Sequence, residues 1–338
     1  MRLLFITPKI DESHDDLAFA SLWAQAFADA GYDVTVICTQ KGQTSLTIPV
    51  VSLGGEQGAP RWLQVLRFWK ILLTTPHERA FVHMTPRWLF MGCWYWWLKR
   101  IPSYLWFTHY TNTLSLKVGS RVVKRMFAAT KECLPHYEGS PKKVVTGHGI
   151  DTSFWTTEEV AEDQREPKSH LLAVHRISRS KRFEITLKTL ALLPPEYRLT
   201  HYGRPQDPRF DPTYQQEIED LIRDLNLQDR VELKGAVPMH ELRRIYPYYQ
   251  LFINMVPQTI DKTVLEAMYC GLTPVINRGQ AEAIGEVPSP QNDDPETVAT
   301  FIKQLCPRSR ESLQQVVTEG HGLRKLIEKM GAYIQAGN

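Results

Sequence analysis

The chain has 338 residues, of which 43% are hydrophobic and 23% are charged, and its formal net charge at pH 7 is +3. These values are ordinary for a soluble globular protein, and the length predicts two domains of roughly 150 residues each. The five cysteines are scattered and lack Cys-x-x-Cys spacing, which argues against a disulfide framework or a zinc site and predicts a reducing, cytoplasmic location.

Strand-like and helix-like runs alternate through residues 1–155, the predicted N-terminal domain, as in a parallel sheet covered by helices. Strands are predicted at 2–7, 33–38, 50–53, 80–84, 103–107 and 143–146. Helices are predicted near 16–30, 60–73, 86–99 and 117–127. In the helix at 60–73, one stripe carries Trp62, Val65, Leu66 and Trp69.

Positive charge is concentrated in this first domain. Between Arg61 and Lys143 there are fourteen Lys or Arg residues against only Glu78, Glu132 and Glu138. Such a basic half-domain predicts an anionic partner, such as a membrane surface, a phosphorylated substrate or nucleic acid. The basic run contains no recognisable module for reading nucleic acid, so we do not expect that partner.

The segment at 88–107 is unusually aromatic. Its apolar run between Arg87 and Lys99 has eleven residues, well short of the ~20 needed to span a bilayer. Aromatic side chains fall on every face, which favours a helix buried against the sheet. An interfacial helix is the alternative, because Trp and Tyr beside Lys and Arg suit the headgroup zone.

Residues 156–169 are polar, lack apolar periodicity and are predicted to be a linker. The alternation restarts in a second domain at 170–320. Its predicted strands lie at 170–174, 197–201, 230–234, 251–254 and from 274. Its predicted helices lie near 183–193, 212–225 and 295–305 and from 238. Residues 321–338 are expected to form a C-terminal helix that packs back towards the first domain. The predicted fold class is α/β, with two facing doubly wound domains.

The segment at 259–276 reads as a polar loop, a two-turn helix and an apolar strand. Thr263 is predicted to be the N-cap of this helix, with Glu266 as its capping-box partner, and Gly271 to end it. The first turn of the helix offers unpaired backbone N–H groups to a phosphate, and Glu266 could instead accept two ribose hydroxyls. The residues of this segment leave both roles of Glu266 open.

Ligands of open α/β sheets bind beyond the carboxyl ends of the strands. Arg176 and Lys181 flank one strand-to-helix turn, where two cations could clamp a diphosphate. Further polar or glycine residues at predicted strand ends are Lys9, Asp11, Asp15, Asp16, His83, His109, His148, Asp151, Gly203, Gly235 and residues 254–262. The chain lacks Gly-x-Gly-x-x-Gly, a P-loop, Gly-x-Ser-x-Gly and His-x-x-x-His, so several common enzyme classes and metal sites are excluded.

Taken in order, five segments resemble the motifs of retaining glycosyltransferases of family 4, which share the B-type glycosyltransferase fold of two facing Rossmann-like domains with a central cleft. The segments are 147–154 (Gly-His-Gly-Ile-Asp…Phe), 174–181 (Val-His-Arg-Ile-Ser-Arg-Ser-Lys), 201–203 (His-Tyr-Gly), 231–237 (Val-Glu-Leu-Lys-Gly-Ala-Val) and 265–275 (Leu-Glu-Ala-Met-Tyr-Cys-Gly…Pro-Val). The first half is similar to a bacterial branch with His-Met-x-Pro at 83–86 and Trp-x-Thr-His at 106–109.

The resemblance implies roles for individual residues. Arg176 and Lys181 would hold the diphosphate of a sugar nucleotide, Glu266 its ribose, and His109 would contact the donor sugar. Donor-binding roles are implied for Gly235, Val237, Gln258, Asp261, Lys262 and Thr263. The cleft and acceptor residues would be Lys9, Asp11, His83, His148 and Asp151.

Three positions depart from the family pattern. Gln258 stands where a glutamate is common, His175 replaces a glycine beside Arg176, and Ala18 lies near a place where the first loop often has glycine. The first two changes support an alternative reading, in which the chain binds a sugar nucleotide but has lost turnover. A sugar-nucleotide epimerase or a phosphorylase of the same fold is the other alternative, although no clear sequence for the residues either would need is present.

The resemblance implies a metal-independent transfer of sugar from a nucleoside diphosphate to an acceptor hydroxyl, with retained stereochemistry and no cofactor. The departing phosphate would accept the acceptor's proton, and the protein would stabilise charge on that phosphate. The expected acceptor is lipid-linked, phosphorylated or a saccharide, in cell-envelope polysaccharide or glycolipid synthesis. The basic half-domain adds the expectation of peripheral contact with an anionic membrane at its inner face.

Overall fold

The computed structural model describes residues 1–14, 17–257, 259–285 and 287–336. Asp15, Asp16 and Gln258 therefore lie outside the described residues. The chain forms two compact units. Unit 1 comprises Met1–Gly149 together with the C-terminal segment that begins at Leu323, and unit 2 comprises Ile150–Gly322.

Both units are built from parallel strands joined by helices. The strands are β1 Arg2–Ile10, β2 Asp33–Lys41, β3 Val50–Ser52, β4 Arg79–His83, β5 Ser103–Trp106, β6 Arg125–Ala128, β7 Lys143–Val145, β8 His170–Val174, β9 Arg198–Tyr202, β10 Val231–Leu233, β11 Leu251–Asn254 and β12 Thr273–Ile276.

The helices cover these strands or cap their ends. They are α1 Phe19–Asp29, α2 Arg61–Thr74, α3 Pro86–Lys99, α4 Leu114–Val122, α5 Thr152–Trp155, α6 Phe183–Leu192, α7 Tyr214–Asp224, α8 Met239–Ile245, α9 Lys262–Tyr269, α10 Arg278–Ile284, α11 Pro295–Gln304, α12 Arg310–His321 and α13 Leu323–Ala336.

The sheet of unit 1 has the order β3-β2-β1-β4-β5-β6-β7. The chain runs outward from β1 in one direction and from β4 in the other, so the topological switch point lies between these two strands. Rings of Phe5, Phe81 and Phe127 line the core, with 5.8 Å between the first two ring centres and 6.2 Å between the last two. Such apolar runs, buried on both faces, favour a fully covered parallel sheet.

The C-terminal helix α13 belongs to the core of unit 1. Leu326, Ile327 and Met330 are buried there. The guanidinium of Arg79 donates to the carbonyl oxygen of Ile334 at 2.9 Å. The end of the chain therefore completes the domain in which the chain began.

Two sequence predictions for unit 1 are corrected. The helix predicted near 117–127 ends at Val122, and β6 follows it, because Met126 and Phe127 are fully buried between β5 and β7. The stripe predicted on α2 meets the core only at Val65 and Trp69, which are partly buried. Trp62 and Leu66 are exposed, and the buried face carries Gln64, Phe68 and Leu72 instead.

The aromatic segment at 88–107 is divided between core and surface. Trp88 and Trp96 on α3 are buried, as the favoured interpretation predicted, but Trp94 and Trp97 on the same helix are exposed. The prediction of a fully buried helix is therefore wrong for one face of α3.

The sheet of unit 2 has the order β10-β9-β8-β11-β12, with its switch point between β8 and β11. Gly203 follows β9 with φ of +154°, and its backbone passes so close to β8 that an added Cβ would lie 1.8 Å from the carbonyl oxygen of His175. Its N–H donates to the carbonyl oxygen of Gly235 at 2.8 Å, which ties together the ends of β9 and β10.

We expect Gly203→Ala to lower the free energy of unfolding of unit 2 by at least about 1–3 kcal/mol, because backbone atoms must move to admit the methyl group. Gly320→Ala is the matched control, since its new Cβ would approach nothing more closely than 3.9 Å and alanine favours a helix. Urea unfolding, with unit 2 followed by hydrogen exchange, measures both. Equal stability of the two variants would contradict the expected clash.

Candidate active site

Loops that follow β8 and β11 meet at the switch point of unit 2. Asp261, at the N-cap of α9, is nearly buried, and its carboxylate accepts from Lys181 Nζ at 2.5 Å. The same oxygen of Asp261 accepts from Asn254 Nδ2 at 3.1 Å. Asp261 and Lys181, predicted separately from the sequence, are therefore direct partners.

The electrostatics of this pair favour the charged state of the acid. Burial opposes ionisation of the Asp261 carboxyl, but the Lys181 ammonium and the Asn254 amide outweigh burial and hold the pKa of Asp261 well below its usual value. The carboxylate in turn fixes the position of the Lys181 ammonium beside the turn that follows β8.

A buried amide pair supports this arrangement. Gln280 Oε1 accepts from the backbone N–H of Asp261 at 3.0 Å, and Gln280 Nε2 donates to the carbonyl oxygen of Val256 at 3.2 Å. Asn254 Oδ1 accepts from the N–H of Val256 at 3.1 Å. Sequence reasoning missed Gln280. It follows the predicted strand that starts at Pro274, and a polar residue after a strand is the signal by which the other candidates were found.

Glu266 lies on α9 with only 1% of its surface exposed. Its Oε1 atom accepts from Lys262 Nζ at 3.0 Å, whereas Oε2 has no hydrogen-bond partner among the described residues. Burial raises the pKa of Glu266, and the Lys262 ammonium opposes that increase. An unsatisfied buried carboxylate oxygen is costly, which suits an atom that receives hydroxyl donors from a ligand.

The predicted capping box is wrong. Asp261 rather than Thr263 occupies the N-cap of α9, because the helix starts one residue before Thr263. The hydroxyl of Thr263 is buried and has no partner among the described residues. Gly271 has φ of +97° directly after the helix, as expected of a residue that ends it.

Arg176 is exposed in the turn after β8. His175 beside it is buried, and its ring packs against Phe183 and His201, with ring centres 5.2 and 4.7 Å away. Burial, with the Lys181 charge as a second cause, lowers the pKa of His175 to about 4. The imidazole that replaces the family's glycine is thus neutral at pH 7 and packed in the core of unit 2.

Gly235 and Val237 follow β10 at the same edge of the sheet. Gly235 is exposed with φ of +76°, and Val237 is half-buried just before α8.

Asp151 is also in unit 2, where its carboxylate caps α5 by accepting from the N–H groups of Ser153 at 2.9 Å and Phe154 at 3.2 Å.

In unit 1, His83 at the end of β4 is fully buried. Its Nδ1 atom shares a hydrogen bond of 3.1 Å with the hydroxyl of Thr7, and its ring lies 4.9 Å from Trp23 and 5.3 Å from Trp106. Burial, with His148 as a second cause, lowers the pKa of His83 to about 3. The structure therefore places His83 in the core, out of direct reach of an acceptor.

The other predicted residues of unit 1 lie at or beyond strand ends. Lys9 and Asp11 form an ion pair of 3.2 Å at the end of β1, and Asp11 accepts from the hydroxyl of Ser13 at 2.6 Å. His148 is buried, with its ring edge against Trp106. His109 is exposed after β5, with its ring centre 5.2 Å from that of Phe107.

A metal centre built from protein side chains is not evident. No group of three or more His, Cys, Asp or Glu side chains positioned to hold a metal ion occurs in the described part of the chain.

The comparison with protein-family models gives a match that lies mainly in the second half of the chain. Residues 156–287 match the family model described as glycosyl transferases group 1. The matched residues all lie in unit 2, and they make up less than half of the chain. The resemblance to glycosyltransferases and the prediction of a glycosyltransferase are thereby confirmed, whereas family 4 and retained stereochemistry stay predictions. No curated protein sequence matches the chain.

Solved structures show where this fold occurs. Anabaena HepE in complex with UDP and glucose has 17% sequence identity and a TM-score of 0.77, covering 99% of this chain and 100% of that chain. Sucrose-phosphate synthase from Thermosynechococcus elongatus has 16% identity and a TM-score of 0.74, covering 99% and 98%. The lipopolysaccharide outer core galactosyltransferase WaaB has 12% identity and a TM-score of 0.69, covering 99% and 100%. The predicted α/β fold with two Rossmann-like domains is therefore confirmed.

Asp261→Asn should lower the free energy of unfolding of unit 2 by on the order of 3 kcal/mol at pH 7, because Lys181 loses its buried counterion. The folded-state pKa of Asp261 lies below its unfolded value of 3.8, so the charge stabilises the fold above that pH and the benefit is lost as pH falls further. The difference between parent and variant should therefore shrink below about pH 4.

Asp220→Asn is the control, because it breaks an exposed ion pair with Arg223. That change should alter stability by no more than about 1 kcal/mol. Hydrogen exchange at the amides of β8 and β11 reports on both variants. A cost for Asp261→Asn no larger than that of the control would show that the buried pair does not stabilise unit 2.

Proposed function

We propose that this protein is a retaining glycosyltransferase that transfers a sugar from a nucleoside-diphosphate sugar to an acceptor hydroxyl. The observation that carries the proposal is the unsatisfied Oε2 atom of buried Glu266, on the helix that Asp261 begins. The Lys181–Asp261 pair lies at the same strand edge. A carboxylate for ribose hydroxyls and a cation for phosphate are the two contacts that a nucleoside diphosphate needs.

The donor would occupy the carboxyl edge of the unit 2 sheet. Glu266 would take the ribose hydroxyls, and residues 235–237 would meet the base. Lys181, held by Asp261, and Arg176 would bind the diphosphate together with the N–H groups at the start of α9. HepE was solved with UDP and with UDP-glucose, which supports a nucleoside-diphosphate donor and makes UDP-glucose the first one to test.

In the proposed transfer, the bond between the sugar's anomeric carbon and the diphosphate oxygen breaks. A bond from the acceptor oxygen forms on the same face, and the departing phosphate oxygen receives the acceptor's proton. The charge that grows on the diphosphate is stabilised by Arg176 and Lys181, which need not exchange a proton. His109 would contact the donor sugar, and we propose that neither a metal nor a cofactor takes part.

The acceptor is proposed to be lipid-linked, phosphorylated or a saccharide, and the product a cell-envelope polysaccharide or glycolipid made at the inner face of the membrane. The basic composition of the first domain supports an anionic acceptor or surface. The likeness in fold to a lipopolysaccharide galactosyltransferase is compatible with this role.

Glu266→Gln should weaken the binding of UDP by roughly tenfold to a hundredfold, since a charged acceptor of two ribose hydroxyls is lost. 2′,3′-Dideoxy-UDP lacks both hydroxyls, so it should bind the parent protein weakly and be little affected by the substitution. Isothermal titration calorimetry measures both ligands. Glu282→Gln, an exposed change on α10, is the control and should leave both affinities unchanged.

If Glu266→Gln lowered the affinity for UDP and for the dideoxy compound by the same factor, Glu266 would not contact the ribose hydroxyls. If UDP and a panel of other nucleoside diphosphates all failed to bind the parent protein, the donor assignment itself would be wrong.

Arg176→Ala should lower the rate of sugar transfer by at least about a hundredfold while leaving the unfolding transition unchanged, because an exposed charge that stabilises the leaving diphosphate is removed. Transfer is measured as UDP release in the presence of acceptor, with EDTA present to test independence from metal ions. The anomeric proton coupling of the product, read by NMR, should match that of the donor.

A product with inverted stereochemistry would contradict the proposed mechanism. So would a rate of sugar transfer by Arg176→Ala equal to that of the parent protein. Donor binding without transfer or hydrolysis, across lipid-linked and saccharide acceptors, would instead favour the alternative of a binding protein that has lost turnover.

A further inference from the structure

Two neighbouring helices of unit 1 expose large apolar side chains to solvent. Trp62 on α2 is 65% exposed and Trp97 on α3 is 70% exposed. Four more side chains extend the same two exposed faces. We call this set the outer aromatic surface, and its members are Trp62, Leu66 and Leu73 on α2 and Trp94, Trp97 and Leu98 on α3.

The spacing of these residues produces one stripe on each helix. At about 100° per residue, Trp62, Leu66 and Leu73 fall within about 40° of one another, and the buried Phe68 and Leu72 lie roughly 100–140° away around the helix. Trp94, Trp97 and Leu98 have the i, i+3, i+4 spacing of a single helix face. Surface helices are normally polar on this side, so apolar stripes here indicate an interaction site.

The two helices that carry these stripes contact each other directly. The indole N–H of Trp69 on α2 donates to the carbonyl oxygen of Met91 on α3 at 2.9 Å. The rings of Phe68 and Trp88 lie 4.9 Å apart beneath the surface. The outer aromatic surface is therefore supported by direct packing between α2 and α3.

The charges around this surface are all of one sign on the two helices. Arg61, Lys70, Lys99 and Arg100 are exposed on α2, on α3 or directly after it, and neither helix contains an aspartate or glutamate. Exposed Trp side chains with a cationic border match the headgroup zone of an anionic bilayer, where indoles reside and Lys and Arg bind lipid phosphates.

We propose that the outer aromatic surface docks unit 1 on an anionic membrane, with Trp62, Trp94 and Trp97 inserted among the headgroups. A second copy of the chain fits less well, because a two-fold symmetric contact sets a patch against itself and would oppose the cations of one copy to those of the other. None of the described helices is long and apolar enough to cross a membrane.

This inference does not depend on sugar transfer, because vesicle binding is measured without donor or acceptor. The full-length protein should float with vesicles of phosphatidylcholine and phosphatidylglycerol, and bind vesicles of phosphatidylcholine alone at least about tenfold more weakly. Raising the salt concentration should weaken binding to the anionic vesicles, since the exposed cations are screened.

The double variant Trp62→Ser with Trp97→Ser should lose at least about tenfold in affinity for the anionic vesicles, because the indoles supply much of the inserted area. Phe210→Ser is the matched control, since Phe210 is a 75% exposed aromatic residue in unit 2, and it should bind as the parent does. An unchanged unfolding transition verifies that the double variant is folded.

Three outcomes would overturn the proposal. Absence of binding to anionic vesicles at low salt is the first. The second is an equal loss of affinity for anionic vesicles in the double variant and in Phe210→Ser. The third is a dimer in analytical ultracentrifugation that dissociates in the double variant while vesicle binding persists, since the surface would then join two copies of the chain.

Discussion

The ion pair between Lys181 and Asp261 organises the edge of the unit 2 sheet at which we propose that the donor binds. It connects the turn after β8 to the helix after β11, across the switch point where the sheet changes direction. Because the pair is nearly buried, each charge depends on the other for compensation, and the Asp261 carboxylate also accepts from the amide of Asn254. The whole edge is thereby held in one geometry before any ligand arrives.

Glu266 lies near this pair, and burial and the Asp261 charge both raise the pKa of its carboxyl, while the Lys262 ammonium opposes the increase. Its Oε1 atom is paired with Lys262, one helical turn away, while Oε2 stays desolvated and unsatisfied. The folded protein bears this cost, and a ligand with two hydroxyl donors would relieve it. Pre-organised polar groups of this kind favour a bound polyol without further rearrangement. The two loops of the unit 2 switch point thus supply complementary halves of the nucleotide site that we propose.

Unit 1 uses its aromatic residues in two different ways. Around the end of β4, the rings of Phe5, Trp23 and Trp106 enclose His83 and keep it neutral. On α2 and α3, other Trp side chains stand in solvent beside lysine and arginine. The first group builds the domain, and the second gives it a surface with the composition of a membrane interface. The same abundance of aromatic residues therefore builds both the core and the exposed surface that we propose docks on a membrane.

The sequence by itself determined the parallel α/β architecture, since strand and helix periods alternate, and it found Lys181 and Asp261 at strand ends and Glu266 on the helix that follows. Only the tertiary structure decided which partners they have. Periodicity tells which side chains share a face but not which face meets the sheet, so the exposure of Trp62 and the burial of His83 could not be read from it. Gln280 was missed for the same reason, because its role depends on a hydrogen bond to Asp261, nineteen residues earlier, that folding alone creates.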